Sequence, residues 1–158
     1  TLKTPRDQLP ARISELVANL KAAERAIAQF GASQLAQRVP ALVATATKLG
    51  AVTFVGENLG AVASADDVRT LVTSVRERLG SEPAVVALGA DVGGKPVVIV
   101  ATNDAARSNS LLAGDLAKAA AVVLGGGGGG KGDLAQGGGT DVSAIANAID
   151  TVAKAIRG

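Results

Sequence analysis

The chain has 158 residues, a net charge of +2, 47% hydrophobic and 19% charged residues, and neither histidine nor cysteine. That balance supports a buried core and argues against a disordered chain. It excludes zinc sites built on His or Cys, Ser-His-Asp and Cys-His catalytic groups, and disulfides; carboxylate, Lys and Ser/Thr chemistry remain. No run of about 18 apolar residues predicts a membrane span, and the polar start "TLKTPRDQLP" does not read as a secretory signal. The absence of any methionine suggests a piece of a longer chain.

In chain order, Thr4 and Pro5, or Asp7 and Pro10, open a first helix. Leu9, Ile13, Leu16, Leu20, Ala23, Ile27 and Phe30 alternate steps of four and three, the seam of a coiled coil over three heptads. "FGAS" is expected to end that helix, with Gly31 as its C-terminal cap and Ser33 as the next N-cap. A second seam follows at Leu35, Val39, Leu42, Ala46 and Leu49, where Pro40 either kinks the helix or marks its start. Two seamed helices with a short turn predict an antiparallel hairpin. Lys21 and Arg25 stand one turn apart on the face away from the first seam. Residues 1–48 hold seven Lys/Arg and three Asp/Glu, whereas residues 49–158 hold nine and eleven. A basic arm of this kind is either a solvated helix face or a nucleic-acid contact.

From Ala51 the period changes. "AVTFV" predicts a strand ended by Gly56. Ser64 is the expected cap of a helix with an apolar face of Val68, Leu71, Val72, Val75 and Leu79, closed by Gly80 and Pro83. "AVVALGA" and "KPVVIVAT" predict two strands turned through Gly93 and Gly94. "NSLLAGDLAKAAAVVL" predicts a helix capped by Ser108 or Ser110. Thr140 or Asp141 should cap a last helix with Val142, Ile145, Ile149, Val152 and Ile156 on one face. The expected fold class is α+β. A helical hairpin arm occupies 1–49. A globular domain ordered β-α-β-β-α-α on a mostly antiparallel sheet occupies 50–158, with a Gly-rich loop at 125–139.

That loop, "GGGGGGKGDLAQGGG", holds half of the chain's 20 glycines. Gly125 to Lys131 satisfies the first seven places of a phosphate-binding P-loop, but Gly132 stands where the Mg²⁺-ligating hydroxyl belongs. The run before the glycines reads as helix and the run after them is too glycine-rich to nucleate one at once, so nucleotide binding is not expected. A flexible linker is disfavoured because both flanks are amphipathic. Glycines this dense point to close backbone approach, to a partner, a ligand or the sheet.

No catalytic constellation can be assembled. Asp66-Asp67 reads as a pair favoured by the positive end of a helix dipole, and Ser108 and Ser110 have no base to activate them. With Phe30 and Phe54 the only aromatic residues, base stacking is an unsuitable route to RNA. Shape, backbone amides and a few cations suit it better. The candidate contacts are Lys131 as a point charge, Gln136 as a hydrogen-bonding side chain, the backbone at Gly130, Gly137 and Gly138, and Lys21 and Arg25 on the arm.

The stretch from Ala113 to Asp141 resembles the C-terminal end of bacterial alanyl-tRNA synthetases. The family's A-G-[ED]-L helix falls at Ala113 to Leu116 and its glycine run at Gly125 to Gly130. A basic residue, an acidic residue, Ala-Gln and further glycines follow at Lys131, Asp133, Ala135-Gln136 and Gly137-Gly138. "VVALGADVGGKPVVIVAT" is similar to the family's hairpin. The likeness spans roughly residues 50 to 157 by order of elements. Lys131-Gly132 departs from the family's Arg, often followed by Pro, and so lacks the planar fork for a bidentate contact. The same domain type follows the catalytic domain of DHH phosphoesterases, whose glycine motif usually carries His or Arg.

The resemblance implies a non-catalytic, cytoplasmic module that binds the outer corner of alanine tRNA. It implies partnership with the aminoacylation and editing domains of a parent ligase, and a dimerisation role in some members. No cofactor is implied for these residues; ATP, magnesium and zinc would belong to the parent's other domains. The alternatives are the substrate-binding subdomain of a DHH-type phosphoesterase and a pure oligomerisation module.

Overall fold

A computed structural model describes residues 9–157, and of residues 9–12 and 27–32 only the backbone. The expected helix openings at Thr4-Pro5 and Asp7 lie outside the described residues. The elements are α1 (Leu9–Gln37), α2 (Val39–Ala44), β1 (Thr47–Leu49), β2 (Val52–Val62), α3 (Ala65–Arg78), β3 (Ala84–Val92), β4 (Lys95–Thr102), α4 (Asp104–Ser108), α5 (Ala113–Val123), β5 (Gly128–Gly130), β6 (Leu134–Gly138) and, after a 3₁₀ turn at Val142–Ala144, α6 (Ile145–Arg157). None of the described helices is long and apolar enough to cross a membrane.

The six strands form one sheet in the order β1-β2-β3-β4-β6-β5. Only β2 and β3 run parallel; the other four pairings are antiparallel. The parallel pair is connected through α3, as a parallel crossover requires. β3 and β4 are buried on both faces, which explains their continuous apolar sequence. Val85, Ala87, Val98 and Val100 pack with α5 and α6, whereas Val86, Leu88, Ile99 and Ala101 pack with α2 and α3. The molecule is therefore a mixed α/β domain of three layers, a mostly antiparallel sheet between two layers of helices.

Several elements form as their residues dictate. The Ser64 hydroxyl accepts from Asp67 N–H at 3.3 Å, with Asp66 and Asp67 in the first turn of α3. Val68, Leu71, Val72 and Val75 are buried beneath it. Gly93 and Gly94, at φ +59° and +87°, make the two-residue β3–β4 turn, a conformation open to them without steric cost. The Asp141 carboxylate accepts from Ser143 N–H at 3.0 Å ahead of α6, which buries Ile145, Ile149 and Val152.

Other elements correct the expectation. α1 continues through Gly31 and Ser33, so in the described residues the turn expected at "FGAS" does not form. An interior glycine costs only about 1 kcal/mol in a helix otherwise rich in Ala, Gln and Leu. The break comes at Arg38, because Pro40 lacks an N–H and its ring collides with the carbonyl four residues earlier. α2 then begins at Val39 with Pro40 in its first turn and ends at Ala44, and Thr47–Leu49 turns to strand. Val39, Leu42 and Leu49 are buried in the globular cores, and the division expected between 49 and 50 falls at the β1–β2 turn.

β2 does not stop at Gly56. It runs on to Val62 with an irregularity between Asn58 and Ala61, and Gly56 is where a Cβ would sit 2.6 Å from the Phe54 ring. Neither Ser108 nor Ser110 caps α5. Its N-cap is Leu112, without a side-chain hydrogen bond, while Ser108 ends the short α4. That helix is capped by Asn103, whose Oδ1 accepts from Ala106 N–H at 2.9 Å.

Candidate nucleic-acid interface

The glycine-rich stretch is not a loop. It folds as the β5–β6 hairpin and completes the sheet next to β4. Glycine is a poor strand former, so an outside demand must hold these residues extended. That demand is α5, which lies almost against the hairpin's backbone. A Cβ on Gly137 would sit 2.6 Å from Ala117 O and 3.0 Å from Ala121 Cβ, and one on Gly128 would sit 3.1 Å from Ala117 O. The small residues Ala117, Ala120 and Ala121 supply the helix side of this contact and are fully buried.

Period 2 along β6 separates two faces. Ala135 and Gly137 point toward α5 and are buried, whereas Leu134 and Gln136 turn to the α3 side. The sheet there extends past α3, which lies over β2, β3 and β4. The step between α3 and the hairpin is a cleft of about 420 Å³. Its lining includes Arg69 from α3, Gly129 and Gly130 from β5, Lys131 and Asp133 from the turn, and Gln136 from β6.

Arg69 and Gln136 meet in this cleft: an Arg69 Nη2 proton is donated to Gln136 Oε1 at 2.9 Å. A second weak contact ties Arg69 Nη1 to Asp66 at 3.4 Å. Half-exposed, the guanidinium keeps further donors for an incoming anion, and the Gln136 amide keeps its own N–H groups. Lys131 is exposed at the hairpin tip, its N–H bonded to Leu134 O at 3.1 Å. Arg76, one heptad after Arg69 on α3, donates to Asp133 O at 3.2 Å. The arrangement offers two kinds of cation and an amide on an open, shallow surface. Such a surface suits the backbone of a polyanion.

Of the residues singled out from sequence, Lys131, Gln136 and Gly130 come together here. Gly137 and Gly138 lie in a strand paired on both sides, and Gly138 N–H is taken by Gly127 O at 3.1 Å. The backbone donors expected of the glycines are thus largely engaged in the sheet. Lys21 and Arg25 are exposed on α1, which contributes nothing to the cleft lining. Arg69 and Arg76 were missed. The available signal was their seven-residue spacing on a helix whose apolar face was already assigned, which puts both on one side.

Residues 50–158 match the DHHA1 domain. The chain belongs to that family. It is 67% identical over 156 residues to the alanine–tRNA ligase of Clavibacter michiganensis subsp. michiganensis, covering 99% of this chain and 18% of that protein. It is 44% identical over 158 residues to the alanine–tRNA ligase of Corynebacterium jeikeium, covering all of this chain and 18% of the relative. The DHHA1 domain chain thus spans under a fifth of the length of the curated relatives it matches. Among solved structures it is similar to the C-Ala domain of Aquifex aeolicus alanyl-tRNA synthetase, with a TM-score of 0.64 and 25% identity over 72% of this chain and 99% of that one.

Proposed function

We propose that the chain is the tRNA-binding C-terminal module of an alanine–tRNA ligase. In this reading it grips the outer corner of alanine tRNA while the parent chain's aminoacylation and editing domains act on the same molecule in the cytoplasm. ATP, magnesium and zinc would serve those other domains. The observation that carries the reading is the Arg69–Gln136–Lys131 cleft on a domain whose relatives are alanine–tRNA ligases. Phosphate oxygens of a folded RNA match such a surface, because cations on a scaffold position a backbone without reading its bases.

Filter binding of alanine tRNA to the 158-residue chain tests this. Affinity should fall with salt along a shallow slope of about −2 to −3 in log–log form, because only two or three phosphates can be neutralised here. Lys131→Ala and Arg69→Ala should each weaken binding by about fivefold. Absence of binding at low salt would refute the reading. Unchanged affinity in both variants would move the contact to Lys21 and Arg25 on α1.

A second role is favoured by one observation. Ile13, Leu16 and Leu20 of the coiled-coil seam, and Val17 beside them, are exposed on α1, Leu16 by 67%. Self-association through this face is the dimerisation reading. Sedimentation with and without tRNA separates it from RNA-driven assembly.

A further inference from the structure

Thr102, the last residue of β4, is the buried polar side chain among the described residues. It closes a run, Val98 to Ala101, whose apolar side chains alternate between the two cores. A buried hydroxyl is unfavourable without a partner, and valine would fill nearly the same space. The Thr102 hydroxyl donates to Gly132 O at 2.6 Å, and the Thr102 amide donates to Asp133 O at 3.0 Å. Each of these carbonyls takes a second donor. Ala113 N–H, at the start of α5, reaches Gly132 O at 2.9 Å, and the Arg76 guanidinium reaches Asp133 O. Four donors from β4, α5 and α3 therefore converge on the two peptide groups that follow Lys131.

We infer that Thr102 is a positioning residue for RNA recognition. Its hydroxyl fixes the Lys131–Asp133 turn, so that Lys131 stands at the cleft before RNA arrives and the turn need not be ordered on binding. Arg76 assists from the opposite side. This rests on the RNA reading above. Thr102 is fully buried and uncharged, so its replacement reaches RNA only through the turn.

The test compares Thr102→Val, Thr102→Ser and Arg76→Lys in the 158-residue chain. Amide hydrogen exchange is followed at residues 131–134 and across β3, and affinity for alanine tRNA is measured alongside. Thr102→Val should raise exchange in the turn by about tenfold more than in β3 and weaken tRNA binding about threefold to tenfold. Thr102→Ser should restore both. Arg76→Lys keeps the charge but loses the fork, and should move both readings less and in the same direction. Evenly raised exchange, or affinity within twofold of the unsubstituted chain, overturns the inference. Should Thr102→Val not fold, unchanged turn exchange in Arg76→Lys overturns it instead. If the unsubstituted chain binds no tRNA, the RNA reading is lost and this inference goes with it.

Discussion

The long helix α1 and the β5–β6 hairpin are opposites. α1 has the clearest periodicity in the sequence, yet Ile13, Leu16 and Leu20 on its seam are largely exposed. The hairpin's glycines carry no apolar period, yet α5 lies so close that a Cβ on Gly137 would sit 2.6 Å from Ala117 O. Pattern announces which surface a segment could bury. Tight packing of glycine leaves no such mark, because what matters there is an absent side chain.

The same substitution in the two regions should sharpen this contrast most. Gly137→Ala forces a methyl group against Ala117 O and Ala121. It should cost about 3 kcal/mol in urea denaturation, as overpacking at a backbone contact does; a cost below about 1 kcal/mol would break the account of the hairpin. Gly31→Ala lies in the interior of α1 and should have the opposite sign, stabilising the helix by about 0.5–1 kcal/mol. A destabilised chain would restore the turn expected at "FGAS".

Smaller effects probe the same divide. Leu16→Ala removes a large apolar side chain that is mostly in water, and should change monomer stability by less than about 0.5 kcal/mol in dilute solution. A concentration-dependent loss of melting temperature would instead reveal a partner for the seam. The least effect belongs to the exposed Lys48–Glu82 pair, which links β1 to the α3–β3 loop. The Lys48 hydrogen bond, and then its charge, hold the Glu82 carboxyl below the usual glutamate range. A carboxyl with a depressed folded-state pKa stabilises above the unfolded value and loses that contribution as pH falls through the folded one. A carboxyl-carbon NMR titration should place the Glu82 midpoint below the usual glutamate range, and Lys48→Ala should abolish the shift.

Much of the domain was legible in its sequence. α3, the β3–β4 hairpin and α6 were readable because each couples an apolar period or run to a local stop or cap: Ser64, Gly93-Gly94 and Asp141. The expected β-α-β-β core and its mostly antiparallel pairing formed accordingly. The helix break was misplaced because two breakers compete within ten residues, and Pro40 removes a hydrogen bond that Gly31 leaves intact. β1, β5 and β6 were missed because three-residue strands and glycine strands depend on neighbours for their conformation. The candidate cleft was partly legible. Lys131 and Gln136 stood out beside the glycines, while Arg69 enters only because the sheet order β4-β6-β5 brings α3 next to the hairpin.

The contact between α5 and the hairpin has a consequence for how this domain can diversify. A core made of branched side chains tolerates drift, since one residue can grow as another shrinks. Where Gly137 and Gly128 face the Ala117 carbonyl, neither side has anything to trim. A methyl gained there has no compensating partner short of moving the helix, and moving the helix shifts the Ala113 amide that holds the Lys131 turn. Sequence change in this domain should therefore collect on the solvent faces of α1 and α6, while the seam between α5 and the glycines stays narrow in any descendant that keeps the cleft.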